Sequence, residues 1–445
     1  MQRARVLNHT PESSALASDD VPGGNVALIV VAGAWIAIAV RYLSHRIVLS
    51  SDSMNNYVHV WWVARGLWHH GHLPWHMPVL GHGAAYAYPY GFTNWTVGAL
   101  LWPVFGDWGV TLCTVLGAAA CIAATFAAFP ELRRGWWAAA ALANPAIIQA
   151  LLFGQQSFEW GAALLLFGIA AWRRNRPLVA AILVGLGQAT HAAIVLPIAL
   201  LLVAIGCWFV PDRGRLLRWY GVSLLITIPA VALVFASPGY ADATMRDRIA
   251  NFFSTLGLRL LIVVLPLVFV WARHTGARAL APLALLVSLA INAIVWVPMN
   301  VDSQWAGLSR TADTASLDAY LRSPAFRPGA TYRVLRGAGD AKLGLYHVVR
   351  AGGRLDSEMF PESMAIRSFS STQQYARLLC ARHVDYVIAY ASYTASHGTN
   401  ELAVLRQLAA HPLANIRIAP IEDGRGPVVY RVTRPGCSGG SSPSS

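Results

Sequence analysis

Charge is scarce in this sequence, and what there is leans one way. Of 445 residues only 12% are charged, with 34 Lys+Arg against 21 Asp+Glu, and Lys342 is the sole lysine. An ordinary soluble domain is about a quarter charged. At 56% hydrophobic residues and a mean hydropathy of +0.47, the composition excludes a soluble class and points to membrane. The positive residues do not gather into a patch interleaved with aromatics, so a nucleic-acid partner is excluded as well.

Other absences narrow the field further. No P-loop, dinucleotide fingerprint, Ser-nucleophile elbow or His-Glu-x-x-His motif occurs, which leaves soluble-nucleotide chemistry without support. No internal repeat of fixed period is visible, against the symmetric halves expected of many transporters. Cysteines number five. Cys113, Cys121 and Cys207 lie in apolar runs and read as small hydrophobes. Cys380 and Cys437 lie in the polar C-terminal part, where export would let them pair, although Cys437 stands in a Gly/Ser tail.

What is present is a series of apolar runs punctuated by arginine. A helix of about 20 apolar residues spans a bilayer. Asn25 to Val40, closed by Arg41 and Arg46, is the first candidate; with no small-residue cleavage site after it, it is expected to be a retained anchor. Basic clusters recur at Arg133-Arg134, Arg173-Arg174-Arg176, Arg213-Arg215-Arg218 and Arg273-Arg278. Placing all four in the cytoplasm by the positive-inside rule gives paired crossings, with outer turns near Gln155, near His191 and at 237–250. The run from Trp95 to Phe129 is broken at Phe105-Gly106-Asp107-Trp108-Gly109, and parity asks it for one net crossing. The expected fold class is a polytopic α-helical membrane protein with about nine to eleven transmembrane helices and a C-terminal soluble α/β domain.

The expected organisation is a cytoplasmic segment 1–23, a membrane domain 24–300 that includes a long outer loop 44–93, an extracytoplasmic domain 301–434 and a disordered tail 435–445. The expected location is a bacterial plasma (inner) membrane. Within the outer loop, Tyr57, Trp61, Arg65 and Trp68 recur at helical spacing and predict a short interfacial helix. In the C-terminal part, alternation predicts strands at 331–336, 344–350, 384–393 and 427–433, and amphipathic helices at 371–382 and 399–411.

Candidate site residues cluster at the outer side. Asp52 stands at the mouth of the first helix, where a carboxylate can deprotonate a hydroxyl, hold a divalent cation against a phosphate, or simply cap the helix that follows. Tyr88 belongs to the segment Tyr86-Ala87-Tyr88-Pro89-Tyr90-Gly91 that returns the chain to the membrane. Gln155, Gln156 and Glu159 occupy a polar turn between apolar helices; an ionisable residue at that depth is either functional or open to water. Arg259 near the outer end of a helix can pair with a phosphate or snorkel. His191, in the turn Gln188-Ala189-Thr190-His191, reads as packed or waterside as readily as a base. The loop histidines His59, His69, His70, His72, His76 and His82 are interrupted by Pro74 and complete no ligand spacing.

Taken together these motifs resemble the GT-C superfamily of membrane glycosyltransferases, which use polyprenyl-phosphate-linked sugars. Asp52 matches the position of that family's acidic residue in the first outer loop. Gly66-Leu67-Trp68 through Pro89-Tyr90-Gly91 is similar to its re-entry segment. Gly154-Gln155, followed by Arg174-Asn175-Arg176-Pro177 and Gly185-Leu186-Gly187, is similar to the turn and basic-proline hairpin of its mannosyltransferase branches. The sequence departs in having one acidic residue at Asp52 rather than a pair, and His191 where a lysine is common. The resemblance implies transfer of a sugar from a polyprenyl-phosphate donor to a glycan, glycolipid or protein acceptor on the outer face. Asp52 would be the base, and Arg259, with a divalent cation such as Mg or Mn where one is used, would offset charge on the leaving phosphate. The sequence leaves two other classes open: a non-catalytic membrane protein whose outer domain binds an envelope partner, and a lipid or solute transporter.

Overall fold

Backbone polar groups in lipid must be satisfied within their own segment, so long apolar runs with so little charge coil into helices. The computed structural model describes residues 22–48, 53–81, 85–86, 92–236, 256–275, 280–296, 312–335, 339–356, 369–389, 400–422, 428–435 and 437. The helical part comprises α1 (Gly24–Leu43), α2 (Ser53–His70), α3 (Phe92–Phe105), α4 (Asp107–Ala128), α5 (Gly135–Leu142), α6 (Pro145–Phe153), α7 (Gln156–Arg173), α8 (Pro177–Thr190), α9 (Ala192–Phe209), α10 (Arg213–Ala236), α11 (Leu261–His274) and α12 (Leu280–Trp296). A two-stranded hairpin, β1 (His76–Met77) with β2 (Ala85–Tyr86), follows α2. Four segments among the described residues are long and apolar enough to cross a bilayer: α1, α4, the α5–α6 pair and α9. Helices α8, α11 and α12 are shorter apolar helices.

The basic clusters share one end of this bundle. Arg173 forks onto the Glu131 carboxylate at 2.5 and 3.2 Å, and Arg273 donates to the Glu131 carbonyl at 2.5 Å. Arg215 donates to Asn175 Oδ1 at 2.6 Å. Exposed Trp208, Phe209 and Trp271 lie at this end, and exposed Trp68 and Trp75 at the other. These are the two aromatic belts of a membrane slab.

The break in the 95–129 run falls at Gly106, whose φ of +55° suits glycine. There α3 ends and α4, itself of spanning length, begins. Helices α5 and α6 are interrupted at Asn144, whose side chain caps Ala146 N at 3.0 Å while Pro145 takes the first helical position.

The C-terminal part is an α/β domain of α13 (Ala312–Arg322), β3 (Thr331–Val334), α14 (Gly339–Arg350), β4 (Arg354–Leu355), α15 (Thr372–Ala381), β5 (Tyr386–Ala389), α16 (Glu401–Ala410), β6 (Arg417–Glu422) and β7 (Val428–Thr433). The sheet order is β4-β3-β5-β7-β6, with β3 parallel to β4 and β5, and β7 antiparallel to β5 and β6. Residues 344–350, expected as a strand, are instead the last turns of α14. Leu345, Tyr346, Val348 and Val349 are its buried residues, a one-sided stripe of period 3.6 that valine and tyrosine disguised as strand. Strands β4 and β6 and helix α13 were not expected. The boundary expected at 301 lies outside the described residues.

Two cores flank the sheet. Tyr375, Leu379, Leu405 and Leu408 pack on one face. On the other, Tyr320, Tyr332 and Tyr346 join Tyr57, Val60, Met77 and Leu80 of the loop segment, so the domain and the loop share one apolar core. The loop is also stitched to the sheet edge, where Leu355 N donates to the Val79 carbonyl at 2.8 Å. Cys380 and Cys437 form a disulfide, so the start of the tail that was expected to be disordered is fastened to α15.

Candidate functional site

The turn between α6 and α7 organises the end opposite the arginines. Gly154 adopts a left-handed φ of +67°, and Gln155 N donates back to the Ala150 carbonyl at 2.8 Å. This glycine-closed helix end turns the chain sharply. Asn56, in the first turns of α2, donates to the Gly154 carbonyl at 2.7 Å and accepts from Trp95 Nε1 at 2.9 Å. His59 stacks on the Trp95 ring with centroids 3.9 Å apart. The N-terminal end of α2 is thereby seated directly on the Gly154-Gln155 turn.

The approach to α2 is fastened from behind by α4. Tyr57 OH shares a hydrogen bond with Thr111 Oγ1 at 2.6 Å and accepts from Val48 N at 3.0 Å. Thr111 also donates to the Arg46 carbonyl at 3.2 Å, and Ser53 Oγ donates to the Val48 carbonyl at 2.7 Å. Asp107, in the first turn of α4, holds Arg46 at 3.4 Å and Arg350 at 3.1 Å, and accepts a hydrogen bond from Tyr346.

Arg259 lies in the helical turn 256–259, donates through Nη2 to Gln155 Oε1 and sits 5.4 Å from the Phe158 ring centroid. It is only 4% exposed, so its charge acts in a low-dielectric setting. His191 lies within electrostatic reach of Arg259. Next to it, Thr190 Oγ1 and Thr93 Oγ1 share a hydrogen bond of 2.6 Å, which brings the start of α3 to the same region. Gln155 and Arg259 are therefore in contact, with Asn56 beside the same turn, and His191 stands within reach of the Arg259 charge.

Gln156 and Glu159 point elsewhere, toward α4. Gln156 Nε2 donates to the Val110 carbonyl at 2.7 Å and to Thr114 Oγ1 at 2.6 Å. Glu159 is fully buried, and its carboxylate makes no hydrogen bond among the described residues. It faces Gly117, where even a Cβ would stand 2.8 Å from Oε2. The reading in which Glu159 faces water in the turn does not hold: the helical pitch rotates it onto the α4 contact. Asp52, Tyr88 and His82 lie outside the described residues, as do residues 237–250. Asn56 was not singled out from the sequence, and Tyr57, Trp95 and Asp107 were read there only as parts of an interfacial helix and a broken apolar run, not as site residues. The asparagine at the head of an aromatic-rich helix was the one signal that could have pointed to the first of them.

The loop histidines do not converge. His59 is buried against Trp95, His70 and His72 have rings 6.2 Å apart, and among the described residues no three His, Cys, Asp or Glu side chains gather in a metal-binding group. Around Gln155 and Arg259 the described side chains supply amide, guanidinium and imidazole groups. That donor set does not suit Mg or Mn, which take carboxylate and water oxygens, so no step is assigned to a cation.

No protein-family model and no curated protein matches the chain. Among solved structures it is similar to ArnT from Cupriavidus metallidurans bound to undecaprenyl phosphate, with a TM-score of 0.50 and 14% identity over 92% of this chain and 98% of that one. The likeness is one of fold: the arrangement of helices, loop and C-terminal α/β domain is shared with that structure.

Proposed function

We propose that the chain is a membrane glycosyltransferase that moves a sugar from a polyprenyl-phosphate donor to an envelope acceptor. The observation that carries this reading is the seating of α2's first turns on the Gly154-Gln155 turn that also holds buried Arg259. Asp52 immediately precedes α2 in the chain. A buried guanidinium and an amide beside the start of α2, with an aspartate directly before that helix in the sequence, suit phosphate-linked sugar chemistry. The solved GT-C structure it is similar to holds undecaprenyl phosphate, which supports a lipid-phosphate donor.

In this reading the guanidinium of Arg259 receives the phosphate, with Gln155 fixing its orientation. Asp52 accepts the proton of an acceptor hydroxyl as that oxygen forms a bond to the sugar's anomeric carbon. The bond from that carbon to the phosphate oxygen breaks, and polyprenyl phosphate leaves with its added negative charge against Arg259, an electrostatic contribution to the transition state. The acceptor enters from the side of the C-terminal domain.

The basic end is cytoplasmic by the positive-inside rule, in a plasma membrane, which puts the C-terminal domain outside; the Cys380–Cys437 disulfide agrees with an oxidising compartment. The test is transfer in proteoliposomes charged with radiolabelled polyprenyl-phosphate sugars and envelope lipid acceptors. Asp52→Asn, folded as judged by its thermal midpoint, is expected to lose transfer while still binding donor. Transfer at the unaltered rate would remove Asp52 from the chemistry.

A further inference from the structure

A second site lies at the other end of the bundle. A cavity of about 220 Å³ opens between α7, α8, α9 and α10, with α11 behind it. Leu165, Ile169, Val184, Leu202, Val203 and Val263 are among the residues that line it. It exceeds the roughly 150 Å³ at which an engineered apolar cavity stays dry and takes up a hydrocarbon guest. Gly168, Ala181 and Ala199 in its walls keep side-chain bulk out of it.

The cavity reaches the basic end, where Trp172, Pro177, Val210 and Leu216 line it. These residues border the two arginine turns. Arg173, Arg174, Arg176, Arg213, Arg215 and Arg218 stand there, and among the described residues the carboxylates beside them are those of Asp212 and Glu131. Arg173 is engaged by Glu131. Asp212 caps Arg215 N at 2.8 Å, and the Arg215 guanidinium lies 5.6 Å from the Trp172 ring centroid. Arg174, Arg176, Arg213 and Arg218 are exposed. Trp208, 82% exposed, sets the headgroup level at this end.

An apolar slot beneath a cluster of exposed arginines at headgroup level has the chemistry of an anionic lipid site. We propose that it holds one acyl chain of an anionic glycerophospholipid, with the phosphate on the exposed arginines. A zwitterionic lipid would bring a cationic headgroup against the same arginines. This site is separate from the one at Gln155 and Arg259: the 14 residues of α8, at 1.5 Å each, set the two about 20 Å apart.

The test is native mass spectrometry of the full chain released from detergent in the presence of phosphatidylglycerol or phosphatidylcholine of the same chain length. One phosphatidylglycerol per chain is expected to survive at voltages that strip phosphatidylcholine, a retention difference of about tenfold. Ala199→Phe, which fills the slot, is expected to abolish the difference. The combined Arg176→Gln, Arg213→Gln and Arg218→Gln variant touches no core packing. It is expected to bring phosphatidylglycerol down to the phosphatidylcholine level, which keeps the test decisive if Ala199→Phe fails to fold. Equal retention of both lipids by the unaltered protein would overturn the site. So would an undiminished difference in the arginine variant, or polyprenyl phosphate as the species held.

Discussion

Tyr346, in the C-terminal domain, donates its phenolic hydrogen bond to Asp107 at the head of α4, 239 residues earlier in the chain. Burial, reinforced by the Asp107 charge, holds the Tyr346 phenol well above its ordinary pKa, so it stays a donor at any working pH. The same carboxylate holds Arg46 and Arg350. One buried acid thus joins the domain, the membrane bundle and the stretch leading toward Asp52.

A double-mutant cycle with Asp107→Asn and Tyr346→Phe is therefore expected to show coupling of about 1–3 kcal/mol. Hydrogen exchange should rise together at 44–48 and in α14. Additive effects would mean that the bond contributes nothing to docking.

Arg259→Ala is expected to lower kcat by about 10²–10³-fold, the usual loss when one transition-state donor is removed. Arg259→Lys should recover part of it, since Lys keeps the charge without the planar fork. The measurement is the proteoliposome transfer rate, with donor KM followed separately. A change in KM alone would make Arg259 a binding residue with no role in the transition state.

Glu159→Gln substitutes a neutral isostere for a buried carboxylate that has no hydrogen-bond partner among the described residues. Such a group is costly at membrane depth. The thermal midpoint should hold or rise, and transfer should continue. A fall in both would show that the ionised form is used.

Reducing the Cys380–Cys437 bond releases a 57-residue separation, which in a chain-entropy account costs about 4 kcal/mol. Paired Ser substitutions should lower the midpoint of the C-terminal domain, read by calorimetry. The transition of the helical bundle should stay in place.

Arg333 is sandwiched between Glu401 and Asp356, the latter 2.6 Å away and 3.5 Å from Arg382. Burial alone would lower the Arg333 pKa, yet the two carboxylates raise it well above the ordinary value. Glu401→Ala leaves half of that pairing unmet inside the protein. A loss of roughly 3–5 kcal/mol is expected by denaturant titration.

The helical, membrane-type character was legible because arginine marks helix ends and apolar length marks spans, and both signals are local. The glycine at 106 and the Gly154-Gln155 turn could be read for the same reason. What could not be read were pairings set by packing. The Asn56 bond to Gly154 bridges 98 residues, and nothing near Asn56 in the sequence announces it. The rotation of Glu159 onto α4 depends on where α7 begins, a matter of one residue. In 344–350 a buried one-sided stripe built from valine, leucine and tyrosine gave strand and helix equal local support, and the choice fell to the sheet, which already had β3 and β5 side by side.

The hydrogen bond from Leu355 to Val79 also bears on self-association. Strand β4 is one rim of the five-stranded sheet, and an uncovered rim is a template onto which another copy can add. Val79 occupies that rim, while at the far rim β6 carries Pro420 and an irregularity between Pro420 and Glu422. Among the described residues one rim of the sheet is met by Val79 and the other is blunted by Pro420. Expressed without residues 53–81, the C-terminal domain would present β4 bare, and such a fragment is expected to aggregate where the whole chain stays dispersed.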